Sequence, residues 1–251
     1  MTMYTTSKNR IPRRSRARRI KAPHLHAPEY ARAARHPKIV EVLQDLWGTV
    51  RFDTGKFNMK SAGYGAPIEW HQDWAFYPHT NDDLAAVGIM LDDCEPENGP
   101  MMVIPGSHRG PIWDHHGPDA RFCGAIDPAR CDLDFSQAVP CLGKAGAITV
   151  HHVRAVHGSA TNFSGQQRRF LLFQYRVADA WPLLGFAAGM EKFDELLLAG
   201  APTREPRLVS VPVRLPLPPA EHQGSIYENQ RAAGRRFFET AAGRERLIPA
   251  E

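Results

Sequence analysis

Residues 68–74 read Ile68-Glu69-Trp70-His71-Gln72-Asp73-Trp74. In an extended chain, residues two apart point the same way, so His71 and Asp73 can face one cavity. An imidazole and a carboxylate so placed can take two positions on a divalent metal, with a third ligand supplied from elsewhere. The surrounding sequence has the punctuation of a β protein. Upstream, Val50 to Lys60 alternates and predicts a strand, followed by a glycine-rich turn at Gly63, Gly65 and Pro67. Downstream, further strands are predicted at Leu84–Leu91, Met101–Ile104, Ala147–Val153, Phe170–Val177 and Leu208–Val213, separated by Gly, Pro, Asn and Asp clusters. Many short strands between such turns point to an all-β sandwich or barrel.

Helices are few. Pro37 opens a helix to about Trp47, with Ile39, Val40, Val42, Leu43, Leu46 and Trp47 on one face. A second helix is expected at Met190–Leu198 and a short one around Gln230–Thr240. The polar stretch 106–138 is long for a loop in a compact domain, and such loops are usually functional or mobile. Three regions follow: a basic, flexible arm at 1–28, a β domain at 29–220, and a polar tail with a short helix at 221–251.

Composition bounds the class. The chain has 251 residues, 43% hydrophobic and 23% charged, which fits one globular domain and excludes global disorder. No apolar run approaches the roughly 18 residues of a membrane span, and no apolar core follows the basic start, so a cytoplasmic location and no membrane partner are expected. The formal net charge is +4, but residues 1–28 hold eight Lys/Arg and no acid. Outside them, 23 basic residues face 27 acidic ones, so the body is net negative. The arm reads as a solvated segment, and a nucleic-acid partner is not expected. Four cysteines without a CxxC pair read as reduced and structural.

A second segment strengthens the metal reading. His157-Gly158-Ser159 follows the strand predicted at 147–153, and Arg168 stands eleven residues beyond His157. Two histidines and one carboxylate, with open positions, match the facial triad of non-haem Fe(II) oxygenases. One face of such an iron can be chelated by a 2-oxo acid, and an arginine fork can hold the far carboxylate. Ser159 can add a hydroxyl donor.

In its motifs the chain resembles the phytanoyl-CoA dioxygenase family of Fe(II)/2-oxoglutarate oxygenases. The residues that carry the resemblance are Trp70-His71-Gln72-Asp73, Asn81-Asp82-Asp83-Leu84, Leu91-Asp92-Asp93, Glu97-Asn98-Gly99-Pro100, Pro105-Gly106-Ser107-His108, and His157-Gly158-Ser159 with Arg168. The resemblance implies a mainly β fold, a double-stranded β-helix (jelly-roll, cupin-like) core with flanking helices. It implies iron held by His71, Asp73 and His157, and 2-oxoglutarate held by Arg168 and Ser159. It adds a polar residue from the strand before the His–x–Asp motif, with Asn58 first and Lys56 and Lys60 as alternatives. The implied reaction hydroxylates an unactivated C–H bond of a small molecule, consuming O2 and releasing succinate and CO2. Asp73 argues against halogenation, where a small residue replaces the carboxylate.

The resemblance also marks two departures. Ile89 stands where relatives place a tryptophan beside the co-substrate. Where relatives carry a helix and a strand before Ile20, this chain is short and Arg-rich, so a reduced or atypical N-terminal layer is expected. A cupin-like metal hydrolase or isomerase would use the same ligands without needing Arg168, and a non-catalytic relative would bind 2-oxoglutarate without turnover. Of His151 and His152, only one can face inward. His108, His115 and His116 read as solvated loop residues, with a substrate lid as the alternative, and Arg169 as a surface residue. Trp74, Phe76 and Tyr77 suit either a substrate pocket or the core. The acidic balance of 106–138 predicts that coenzyme A thioesters are not substrates.

Overall fold

The computed structural model describes residues 18–210, 213, 216, 217, 219, 220 and 224–241. It is mainly β with few helices. The elements run β1 (Arg19–Lys21), α1 (Pro28–Ala34), α2 (Pro37–Trp47), β2 (Val50–Lys60), β3 (Ile68–His71), β4 (Leu84–Met90), β5 (Met101–Val103), β6 (Val139–Pro140) and β7 (Ile148–His152). They continue with β8 (His157–Ser159), β9 (Arg168–Arg176), α3 (Gly189–Glu195), β10 (Leu197–Ala199) and α4 (Ile226–Asn229).

Two antiparallel sheets form. The larger has the order β1-β2-β9-β4-β7, with β10 also on β2; the smaller has the order β3-β8-β5-β6. The pleat of β9 explains how one strand serves two cores. Leu171, Phe173 and Tyr175 turn outward and pack with Val50, Phe52 and Phe57, under Ile39 and Leu43 of α2. Phe170 and Leu172 turn inward to meet Met90 and Met101. Arg168 and Gln174 share that inner parity. On β2, a register shift between Phe52 and Thr54 leaves Lys56, Asn58 and Lys60 on the inner face and Phe57 on the outer one.

The α2 helix starts at Pro37 and ends at Gly48, whose positive φ of 75° suits a residue without a Cβ. Its expected apolar face is only partly used: Ile39 and Leu43 are buried, whereas Val42 and Leu46 are exposed. Burying each of the first two contributes about 1.5–3 kcal/mol.

Several expectations change. The chain enters the fold earlier than its charge suggests. Arg19–Lys21 pairs with Lys56–Asn58 of β2, and α1 packs beside it, so residues 18–28 belong to the folded body. Residues 1–17 of the expected arm lie outside the described residues. The helix expected at Met190–Leu198 stops at Glu195, because Leu197–Ala199 pairs with β2 as β10. No strand forms at 208–210, and two positions of that expected strand lie outside the described residues. The C-terminal helix begins earlier, at Ile226, where Ser225 and Glu228 form a capping box.

The tail covers the smaller sheet. The buried Phe238 packs its ring 5.3 Å from Trp70, while Glu69 accepts hydrogen bonds from the backbone of Phe237 (2.9 Å) and Phe238 (3.3 Å). No described helix is long and apolar enough to cross a membrane.

Candidate active site

His71 ends β3, Asp73 opens the turn after it, and His157 begins β8, the strand paired with β3. His71 and His157 are directly opposite in that pairing. One donor atom from each of the three residues lies within 4.8 Å of the others, and all three side chains are buried. Each imidazole is turned by its own backbone. Nδ1 of His71 donates to the Glu69 carbonyl at 2.8 Å, and Nδ1 of His157 to the Ala155 carbonyl at 2.9 Å. That leaves both Nε2 lone pairs for the shared space, the arrangement a metal-binding histidine needs. Burial holds both imidazoles below their ordinary pKa, so they stay neutral. For Asp73, burial is the largest effect and pushes upward, but the opposing charge effects, led by the Lys56 ammonium 3.1 Å from Oδ1, together outweigh it, and the carboxyl sits well below its usual range. Two neutral imidazoles and one carboxylate fit Fe(II).

The loop between the histidines is braced. Gln72 points away from its neighbours and is fully buried. Its backbone N–H donates to Nε2 of His115 at 2.9 Å, and its amide donates to the carbonyls of Pro111 (3.0 Å) and Arg154 (2.9 Å). Trp113 N–H returns a bond to its oxygen. His115 is therefore an internal brace and not a solvated loop residue. His116 is also buried and pairs with Asp114, and the nearby Phe122, Cys123, Ala125 and Ile126 bury that part of the 106–138 stretch.

Two cavities meet at the triad. The inner one is lined by His71, His157, Ser159, Asn58, Lys56 and Arg168, which brings together the residues assigned to the co-substrate and two of the three assigned to the metal. Arg168 is buried and donates through Nη2 to the Gly99 carbonyl at 2.8 Å, while its Nε has no partner among the described residues. Gly99 has a φ of 72°, and a Cβ there would stand 2.6 Å from the Ala160 carbonyl oxygen. The Glu97-Asn98-Gly99-Pro100 turn thus aims the arginine. Oδ1 of Asn58 is buried without a partner among the described residues, an open hydrogen-bonding position facing the same space.

The outer cavity, of about 250 Å³, is lined by Asp73, Lys56, Phe76, Tyr77, Gln174, Arg19 and Lys21, with Ile226 and Asn229 from α4. Lys56 and Ile226 line both cavities.

Other residues fall elsewhere. Lys60 is fully buried but spends its ammonium on the carbonyls of Ser159, at 3.2 Å, and Ala160, so it supports the chain beside Ser159. Ile89 packs against the outer core and lines neither cavity. Trp74 is core, whereas Phe76 and Tyr77 line the outer cavity. His151 is the inward member of its pair. Its Nε2 is 3.9 Å from Asp73 Oδ2, and burial pushes its pKa down to about 3. His152 turns the other way, toward His108. Arg169 clamps Asp92 on the outer side, with Nη2 2.7 Å from Oδ1. Gln72, His115 and Arg19 were not readable as site residues. A glutamine between two ligand positions was the one available signal.

Comparison with known proteins accords with this geometry. Residues 2–170 match the family model described as phytanoyl-CoA dioxygenase. The chain belongs to that family. Its members are Fe(II)/2-oxoglutarate-dependent oxygenases, and this chain is an enzyme of that class. It is 41% identical over 225 residues to a probable alpha-ketoglutarate-dependent hypophosphite dioxygenase of Stutzerimonas stutzeri, covering 88% of this chain and 78% of that protein. It is 35% identical over 165 residues to an L-proline trans-4-hydroxylase of Streptomyces griseoviridis, covering 58% of this chain and 62% of that protein. Among solved structures, the epimerase SnoN in complex with Fe3+, alpha ketoglutarate and nogalamycin RO aligns with a TM-score of 0.56 and 26% identity, over 76% of this chain and 75% of that one.

Proposed function

We propose that this enzyme hydroxylates an unactivated bond to hydrogen in a compact small molecule, with 2-oxoglutarate as co-substrate and succinate and CO2 as products. The observation that carries the proposal is that the buried Arg168 lines the same cavity as His71 and His157, which with Asp73 form the metal cluster. A metal hydrolase would have no use for a buried, half-partnered guanidinium in that cavity. The two sheets fit a double-stranded β-helix, with the triad between them.

In this reading, His71, Asp73 and His157 hold Fe(II) by Nε2, a carboxylate oxygen and Nε2. Iron with its 2-oxo acid supplies the oxidising power once both are bound. The chain orients and insulates. Arg168 fixes the distal carboxylate of 2-oxoglutarate, Ser159 adds a hydroxyl donor, and Asn58 offers its amide. Lys56 stands between co-substrate and substrate while neutralising part of the Asp73 charge. Phe76 and Ile226 form an apolar wall of the outer cavity, where the bond to be oxidised would lie. That space is below the roughly 300–1,000 Å³ of drug-sized sites, which argues against a coenzyme A thioester. The reaction would run in the cytoplasm, where Fe(II) and reduced cysteines persist.

The test is a substrate screen with purified enzyme, Fe(II) and 2-oxoglutarate, reading succinate and hydroxylated product together. Succinate and product formed in equal amounts with a small metabolite support the proposal. Absence of 2-oxoglutarate consumption under every condition would sink it.

A further inference from the structure

Resting on the oxygenase reading above, we propose that the outer cavity takes a compact oxyanion, a small carboxylate or phosphorus oxyacid, and that Arg19 is the residue that binds its charge. The argument starts from the lining. Three cations, Arg19, Lys21 and Lys56, face this space, and Asp73 is the one acid among the described lining residues. Two of the cations are already engaged: Lys56 with Asp73 at 3.1 Å and Lys21 with the Gly224 carbonyl at 3.1 Å. Arg19 is different. Its Nε is buried with no hydrogen-bond partner among the described residues.

Position and charge agree. In the β1–β2 pairing Arg19 sits opposite Asn58 and Lys21 opposite Lys56. Arg19 and Asp73 line the same outer cavity. Once a divalent metal takes up the Asp73 carboxylate, no other described group lining this cavity offsets the three cations. A neutral guest without an acceptor would leave the buried Nε of Arg19 without a hydrogen-bond partner, which is costly. An oxyanion would supply the missing acceptors, and arginine presents them a planar fork. With about 250 Å³ available, the anion must be small.

The reaction balances as follows. The substrate X–H bond breaks, and one oxygen atom of O2 enters as X–OH. The other oxygen atom enters 2-oxoglutarate, which loses CO2 and leaves as succinate. The substrate is oxidised by two electrons, and 2-oxoglutarate supplies the other two that reduce O2.

The experiment uses the full chain with Fe(II) and saturating 2-oxoglutarate. Hypophosphite serves as the phosphorus arm and a panel of small carboxylic acids as the carbon arm, each acid tested against its neutral amide. Substrate-coupled product formation and KM are measured for the wild type, Arg19→Gln and Arg19→Lys. Anions are expected to be turned over and neutral amides not. Arg19→Gln should raise the KM of the accepted anion by about 10- to 100-fold, the loss expected for a charge-assisted hydrogen bond, with Arg19→Lys recovering part of it. The KM for 2-oxoglutarate should not move, which separates this role from that of Arg168. Equal turnover of amides and acids, or an unchanged anion KM in Arg19→Gln, would overturn the assignment. Succinate release without any accepted anion would overturn it too, yet leave the oxygenase reading standing. A wild type that never consumes 2-oxoglutarate would sink both.

Discussion

The two cavities that meet at Lys56 hold their cations in opposite ways. Arg168 opens β9, the strand between β2 and β4 in the larger sheet; it faces Lys60 of β2, and the pairing with β4 begins at Phe170. It is buried and anchored to the Gly99 carbonyl. Arg19 stands on a three-residue edge strand with one neighbour and is only partly buried. The difference separates two tasks. A group that must hold one invariant co-substrate against a metal is built into the sheet centre, where register sets its position. A group that selects a substrate is placed at the edge, where a change disturbs few other contacts. The C-terminal α4 then closes over both, through Ile226.

The largest effect should come from the residue that faces the metal from the outer cavity. Asp73→Ala removes the only carboxylate of the triad and leaves Lys56 buried without its partner. Metal occupancy after reconstitution, read by elemental analysis, should fall sharply, and turnover should vanish for every substrate. A variant that kept full iron and full activity would show that the two cavities do not share this ligand.

Next comes the inner cavity alone. Arg168→Leu leaves a carboxylate of 2-oxoglutarate facing a dry wall, at a cost of roughly 3–5 kcal/mol. The KM for 2-oxoglutarate should rise by about two to three orders of magnitude. The KM of the substrate, measured at the highest attainable co-substrate concentration, should change far less. Equal damage to both constants would mean that the cavities act as one site.

Lys56 sharpens the comparison, because it lines both spaces. Lys56→Met keeps the apolar stem and removes the charge beside Asp73. Both Michaelis constants should rise, each by about tenfold, as expected for losing one charged partner. If only one moves, the shared wall belongs to that cavity.

How much of this was readable in the sequence depends on periodicity. The pairing of His71 with Asp73 is legible from spacing and residue type, whereas Asn58 and Lys56 are implied by the family resemblance: alternation from Val50 and Phe52 alone puts them on the outer face, and the register shift between Phe52 and Thr54 turns them inward. Three things were not readable. The strand at Arg19–Lys21 is too short to show a period, and inside a basic run it looks like the end of a solvated tail. Lys60 shares the parity of Asn58, yet it ends on the carbonyls of Ser159 in β8 and of Ala160 after it, far away in the chain. The Gln72–His115 bond likewise joins residues 43 apart through a loop without a pattern. In each case the missing information is a non-local partner, which no local spacing encodes.

The smallest effect tests whether the inner cavity is prepared for a ligand before one arrives. Asn58 keeps a buried Oδ1 without a partner among the described residues, an arrangement that costs the folded protein about 1–3 kcal/mol. An amide can rotate to present either end, so this position can donate to a carboxylate when one is bound. Asn58→Leu has a similar size and no polar atom. The ligand-free protein should therefore be as stable as the wild type or more so, read as an equal or higher denaturation midpoint. Its affinity for 2-oxoglutarate should fall by about tenfold, since one hydrogen bond is lost. Stability and binding would move in opposite directions, as they do when a polar group is kept for a ligand and not for the fold. An Asn58→Leu variant that is both less stable and unchanged in binding would place Asn58 in the scaffold, and Ser159 and Arg168 would then hold the co-substrate without it.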